Sequence, residues 1–451
     1  MNGVPTLSLT EVRLIDLIVT SGFGLLVGLI EGILPGLGPA SSLILLFGYL
    51  VGLPPLHLVM FFTTMMVSSQ YVSSISAIYT GVPGAESSFP SSKESGYILT
   101  HGLSQTAIAQ NALASFVGSI VGMIFLVASI PLLAYAYRFF GVAIQISVIV
   151  GAIIVVILSS TRKIPALASV AFGFLLMYIG FDKHSFEYHL TFGIGFLQQG
   201  IPWMPLILGS SVGYSFFQLK SANFSVIRAA KPLPFLAGVK TLRNRLLPLT
   251  RGTILGFFIG LVPGLSYMLS ANLAYQVDRR LPAKTEDDRV LNSVMSSDAA
   301  HCSGVMGMLL PFLVLGIPIT ASEAVLFNIM SVGSGSASIL TELSQHAVEV
   351  ILITLAVNFV SLLIALRGSK ILLKLFAIPK RIFLLLLLVM CVAIIVDFNL
   401  SLAHNILAIS AFAGSFVIFR ISKFDPLPFI FSILIFDVMY STCFTLYQLY
   451  F

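Results

Sequence analysis

Gly24-Leu25-Leu26-Val27-Gly28-Leu29-Ile30-Glu31-Gly32-Ile33-Leu34-Pro35-Gly36-Leu37-Gly38-Pro39 recurs in the second half of the chain as Gly252-Thr253-Ile254-Leu255-Gly256-Phe257-Phe258-Ile259-Gly260-Leu261-Val262-Pro263-Gly264-Leu265-Ser266. Gly24, Gly28, Gly32, Pro35, Gly36 and Leu37 fall on Gly252, Gly256, Gly260, Pro263, Gly264 and Leu265. A glycine at every fourth position of an apolar helix bares one face, so a second helix can approach closely. Pro-Gly then interrupts the helix while it is still among apolar residues. In hydrocarbon such a break exposes backbone polar groups, and it survives only where protein or a water-filled cavity covers it. Paired breaks in corresponding halves point to a binding site near the bilayer midplane.

The surrounding composition fits that reading. Of 451 residues, 57% are hydrophobic and only 9% charged, with a mean hydropathy of +1.01. Soluble domains carry about a quarter charged residues, so the chain belongs in a lipid bilayer. Runs of about twenty apolar residues recur along it, enough for roughly ten to fourteen membrane segments. The expected fold is an all-α polytopic membrane protein, built of two inverted-topology repeats with Pro/Gly-broken helices or re-entrant hairpins. The net charge of +6 resides mainly in loop Lys and Arg, which argues against a nucleic-acid partner. Cys302, Cys391 and Cys443 stand singly in apolar surroundings, without disulfide or zinc spacing. Residues 1–13 lack a basic n-region and a small-residue cleavage site, so no removable signal peptide is expected.

Three units follow: a first membrane repeat at 1–217, a basic linker at 218–251 and a second repeat at 252–451. Lys220, Arg228, Lys231, Lys240, Arg243, Arg245 and Arg251 populate the linker with no acidic residue among them, which assigns it to the cytoplasm. Arg367 to Arg381 is basic in the same way. The span before Arg162-Lys163 therefore runs inward, while its counterpart at 382–398 starts at Arg381 and runs outward. Equivalent spans pointing in opposite directions indicate an inverted repeat, and put both termini and the loop 182–200 outside. The stretch 86–105 reads as polar cytoplasmic loop, and the segment before Gly316 as starting near 299.

Four tips are the candidate site. They are Pro35, Gly36, Gly38, Pro39, Ser41 and Ser42; Gly81, Pro83 and Gly84; Pro263, Gly264 and Ser266, with Asn272 beyond; and Gly316, Pro318 and Thr320. Each ends one half-helix and starts another, and free N–H groups at a helix start suit an anion. A proline kink packed against a neighbour is the alternative for any single tip. No Lys or Arg lies between Leu14 and Ser92, between Gly252 and Val277, or between Val290 and Leu366. An anionic substrate there must be met by N–H groups, hydroxyls and a co-transported cation. Sodium is expected at Ser68, Ser270, Asn272 and Asp298, with a proton as the other carrier and no cofactor.

Glu31, Asp298, His301, Glu323, Asp397, His404 and Asp437 are ionisable residues within apolar segments, where charge is costly. Asp298 and His301 share a helical face, as a cation or proton site or as a structural pair. Glu31 takes the place of Ile259, as a coupling residue or a local hydrogen-bond partner. His-Glu-x-x-His, Gly-x-Ser-x-Gly and a phosphate-binding Gly-Lys-Ser/Thr loop are missing, so no enzyme is expected.

The chain resembles the large permease subunit of the tripartite tricarboxylate transporters. The matching residues are Pro35-Gly36-Leu37-Gly38-Pro39, the segment Gln70 to Gly84, Thr191-Phe192-Gly193-Ile194 with Gly200-Ile201-Pro202, Arg251-Gly252-Thr253 leading to Pro263-Gly264, and Leu315-Gly316-Ile317-Pro318. It departs from that pattern at Leu265-Ser266-Tyr267 and at Ser297 to Cys302. The resemblance implies a secondary transporter of small organic anions, carboxylates above all, in the cell inner membrane and driven by a sodium or proton gradient. It further implies a periplasmic solute-binding protein and a small membrane subunit as partners. A passive channel and a transport-inactive scaffold are the rival readings.

Overall fold

The computed structural model describes residues 14–33, 38–81, 84–136, 142–160, 162–183, 185–219, 245–262, 267–316, 318–333, 339–367, 385, 388–389, 402–422 and 426–450. In the first half, α1 is Leu14–Ile33, α2 Pro39–Leu45, α3 Phe47–Leu50, α4 Pro55–Thr80, α5 Phe89–Thr100 and α6 Ser104–Ala136. There follow α7 Val142–Ser159, α8 Lys163–Met177, a two-stranded antiparallel hairpin pairing Gly180 with His189 and Phe181 with Tyr188, and α9 Trp203–Leu219. The second half holds α10 Leu246–Gly260, α11 Tyr267–Arg280, α12 Glu286–Leu315, α13 Ala321–Gly333 and α14 Ile339–Gln345. It closes with α15 Ala347–Arg367, α16 Leu402–Ser422 and α17 Leu427–Tyr450. Six of the described helices are long and apolar enough to cross a membrane (within α1, α4, α6, α12, α15 and α17), with shorter apolar helices beside them. The protein is an all-α polytopic membrane protein.

Two helices form the axis of the molecule. α4 is buried over its whole length and α12 from Ser293 to Val314. α4 starts at Pro55, where a missing N–H costs nothing, and stops at Gly81, whose φ of 69° only glycine adopts freely. α12 starts at Thr285, whose side chain caps the Asp288 N–H, and stops at Gly316 with a φ of 65°. The many hydroxyls of α4 do not reach water. Thr63, Thr64, Ser68 and Thr80 donate back to the carbonyls four residues earlier, at 2.6–2.8 Å, which satisfies a polar side chain inside a helix.

The glycine stripes do what their spacing requires. A Cβ added at Gly24, Gly28 or Gly32 would overlap the carbonyls of Phe61, Met65 or Ser69 on α4. One at Gly252, Gly256 or Gly260 would overlap those of Ser296, Ala300 or Gly304 on α12. At this closeness Ser68 Oγ reaches Leu25 O at 3.1 Å, and Ser303 Oγ reaches Thr253 O at 2.7 Å. Each half thus carries the same close helix pair. Around the two pairs the halves exchange partners: α6 lies on α12 and α15 on α4, while α9 packs on α16 and α8 on α17. The face of α1 opposite its glycines exposes Ile15, Ile18, Val19, Leu26 and Ile30, as expected of a surface turned to lipid.

Three boundaries differ from the sequence reading. The stretch 86–105 is not an open loop: a 3₁₀ turn, Glu86–Ser88, leads into α5. α12 starts at Glu286 rather than near 299, because its polar first turns are fixed by ion pairs. Arg289 bonds Glu286 at 2.6 Å, and Arg245 bonds Asp288 at 2.5 Å and Asn292 at 2.5 Å. The same Arg245 anchors α10, which begins inside the stretch read as linker. Residues 220–244 of that linker lie outside the described residues.

Gly28→Val and Gly256→Val are each expected to lower the melting temperature in detergent, an overpacking cost of about 1–3 kcal/mol. Gly22→Ala is the control, since nothing lies within 4 Å of its added Cβ; it is expected to melt at or above the wild-type temperature. Equal melting of all three would contradict the close-packed pairs.

Candidate functional site

The first tip is seen from its C-terminal side. Gly38 is extended at φ −76° and ψ 167°, Pro39 opens α2, and Ser41 and Ser42 are buried in its first turn. Pro35 and Gly36 lie outside the described residues, as do Pro83, Pro263, Gly264 and Ser266. At the second tip Gly81 ends α4, and the chain returns so that a Cβ at Gly84 would overlap Gly32 O at the end of α1. Ser73 of α4 accepts the Ala85 N–H at 2.5 Å. The second tip therefore closes on the end of α1, just ahead of the first, and on α4.

The fourth tip is closed by its own carboxylate. Glu323 Oε2 accepts the N–H groups of Ile319 at 2.9 Å and Thr320 at 3.1 Å. Thr320 Oγ1 accepts the Glu323 N–H at 3.2 Å. This is a capping box, Thr320-Ala321-Ser322-Glu323, in which N-cap and N3 satisfy each other. The donors that sequence reasoning offered to a ligand at Thr320 are taken by Glu323, while Pro318 is buried beside them. The tip-borne helices also meet across the halves: α2 packs on α13, and α11 packs on α5 and on the turn at Glu86–Ser88.

Polar contacts between the axial helices centre on Asp298. Its Oδ1 accepts from Gln70 Nε2 at 2.9 Å and its Oδ2 from Ser74 Oγ at 2.5 Å. Gln70 Oε1 in turn accepts from Ser87 at 2.7 Å and Ser88 at 3.3 Å. Asp298 and His301 are not bonded to each other. His301 Nε2 lies 3.5 Å from Met66 O, and its ring meets Tyr267 edge-on. The residues expected to hold sodium are apportioned differently by the structure. Ser68 is engaged with backbone carbonyls, Asn272 donates to Met268 O at 3.0 Å, and Ser270 packs against Gly304.

Glu31 is fully enclosed. Ser69 Oγ donates to its Oε1 at 3.3 Å, while Oε2 has no partner. Sequence reasoning missed Gln70, Ser74 and Asn358, which tie the halves together. Tyr71 and Ser119 both donate to Asn358 Oδ1, at 3.0 and 2.6 Å. The available signal was an amide within an otherwise apolar helix. Asp397 and the side chains of Glu86 and His404 lie outside the described residues.

Two open pockets lie away from the tips. One, of about 370 Å³, is lined by Tyr178, Asp182, His189, Asp437 and Tyr440 among others. The other, of about 290 Å³, is lined by Phe89, Lys93, Asn272, Tyr275, Gln276, Arg279 and Arg280. Among the described residues expected at the site, only Asn272 lines either one. Beside it, Arg279 joins Glu94 of α5 at 3.0 Å to Glu286 at 2.5 Å.

Enclosed axial helices ending in matched glycine breaks, each clasped by a glycine-faced partner, define a polytopic membrane protein built for paired interruptions of its spans. The chain belongs to the tripartite tricarboxylate transporter TctA family, whose model matches residues 18–431. It is also 25% identical over 299 residues to an uncharacterized 52.8 kDa protein in the TAR-I ttuC' 3' region of Agrobacterium vitis. That match covers 65% of this chain and 60% of the relative. No solved structure matches the chain.

Glu323→Ala is expected to destabilise the protein by about 1 kcal/mol through loss of the cap. Glu323→Gln, which still accepts both N–H groups, is expected to melt close to wild type. Thermal unfolding of the two variants checks the assignment, and equal losses in both would sink it.

Proposed function

We propose that the protein is a secondary active permease that imports small organic anions, carboxylates in particular, by cation-coupled alternating access. The observation that carries this reading is the meeting of broken tips from both halves, α2 against α13 and α11 against the turn after α4. Interrupted helices at corresponding positions are the usual frame of a transporter's midplane site. The exchange of packing partners between halves supports two inverted repeats, one rocking against the other around that site. Family membership supports carboxylates as the substrate class. It equally supports a solute-binding protein and a small membrane subunit as partners, and the cell inner membrane as the location.

Reconstituted vesicles loaded with potassium and diluted into sodium are expected to accumulate labelled carboxylate above its equilibrium level, and to lose it when the gradient is collapsed. A proton gradient serves as the parallel arm. Gly84→Val, which forces the second tip off the end of α1, is expected to reduce the uptake rate by roughly tenfold or more. Equilibration without accumulation would assign a channel instead. Absence of both uptake and any ligand-dependent thermal shift would assign a scaffold.

A further inference from the structure

Among the described residues five carboxyls are buried; Asp278 and Glu94 are paired with Arg251 and Arg279, while Glu31, Asp298 and Glu323, exposed by 0%, 1% and 0%, have no basic partner. A carboxylate in hydrocarbon must be neutralised or paired, and no Lys or Arg occurs in the segments that carry these three. Two of the three have their surroundings arranged. Asp298 receives a neutral donor on each oxygen, and Glu323 receives two backbone N–H groups on one.

Glu31 is different. Only Ser69 donates to it, at a long 3.3 Å, and Oε2 has no partner. The Ser42 hydroxyl interacts with the same carboxyl from the first turn of α2, yet makes no hydrogen bond of its own. Ser42 and Ser69 are each 2% exposed. A carboxylate and two hydroxyls thus converge from three helices, α1, α2 and α4, with Glu31 Oε2 and Ser42 Oγ both left without a hydrogen-bond partner. Hard oxygen ligands of this kind suit a hard metal cation. One carboxylate balances one positive charge, so a monovalent ion leaves the site neutral in hydrocarbon.

We propose that Glu31, Ser42 and Ser69 form the site of the coupling cation, a sodium ion, at the edge of the first tip. The inference rests on the transport reading above and gives it a named ion site, different from the set expected from sequence. The second half cannot supply a copy. Ile259 stands where Glu31 does, and Gly304 stands on α12 where Ser69 stands on α4, as the matched contacts of Gly32 and Gly260 record. Among the described residues, the matched position of the second half therefore holds no such site. Ser42 ties the ion to α2, which touches α13 of the other half, so occupancy bears on the contact between the moving parts.

The test uses the purified full chain in detergent, with melting followed as sodium replaces choline at constant ionic strength. Wild type is expected to melt higher with sodium. Ser42→Ala removes a hydroxyl without a hydrogen bond, so its sodium-free melting temperature is expected to be unchanged. Its half-saturating sodium is expected to rise by roughly tenfold. Glu31→Gln is expected to fold and to lose the sodium response. A sodium response retained in Glu31→Gln overturns the site, as does one abolished by Asp298→Asn and kept by Glu31→Gln. Carboxylate uptake by wild-type vesicles is scored separately. Sodium-driven uptake with an unaltered Glu31→Gln response rejects the site and leaves the permease reading intact, whereas wild type without any accumulation rejects the permease reading itself. Uptake driven by protons alone, with no sodium response in wild type, also overturns the site.

Discussion

Backbone polar groups in hydrocarbon must be paired within the protein, and the arrangement of the chain follows from how it meets that demand around its broken helices. α4 and α12 are enclosed along most of their length and end at Gly81, which is exposed, and at Gly316, which is half-buried. Each end frees carbonyls on one side of the gap and N–H groups on the other. The first half covers its gap with Ser73 and with the end of α1, which closes on Gly84. The second half covers its gap with Glu323. The glycine stripes belong to the same solution. With α1 and α10 lying against the backbones of α4 and α12, the axial helices are enclosed along most of their length.

The same demand explains why so polar a core is stable. Serine and threonine return their protons to their own helices, and amides bridge between helices: Gln70 to Asp298, and Asn358 to Tyr71 and Ser119. Interhelical hydrogen bonds in bilayers are worth only about 0.6–2 kcal/mol each. Their contribution is therefore to register more than to stability. A shift of α4 along α12 would leave an enclosed carboxyl without its donors, and that penalty fixes the two halves against each other.

Much of this was legible in the sequence because it depends on residues whose geometry is nearly compulsory. Glycine every fourth residue dictated the close pairs, and Gly before X-Pro marked the ends of both axial helices. Short-range chemistry could also be recognised: Thr320-Ala321-Ser322-Glu323 spells a capping box, although Glu323 was first read as an isolated intramembrane charge. Contacts between distant segments were not legible. Nothing local to Asp298 names Gln70 and Ser74, and nothing local to Ser68 says that its hydroxyl lies over Leu25 rather than near Asp298. Helices α5 and the start of α12 were read as loop because their polarity resembles solvent exposure; it instead serves the ion pairs of Glu94 and Glu286 with Arg279.

The two halves have kept a common frame while diverging in charge. Glu31 lies at the end of α1 and Glu323 at the start of α13, and α2 stands between them, in contact with α13. On the proposed reading, an organic anion entering between these tips meets two carboxyls and no basic side chain of the tip segments. Glu323 is committed to N–H groups, which offset its charge where it stands. Glu31 has no such offset, and on that reading its ionised form opposes an anion until a cation neutralises it. On the proposed reading this repulsion is what makes transport coupled: the cation removes an obstacle that N–H groups and hydroxyls alone leave in place. It also sets an order, with the cation preceding the anion, because the tip becomes hospitable to negative charge only after Glu31 is paired.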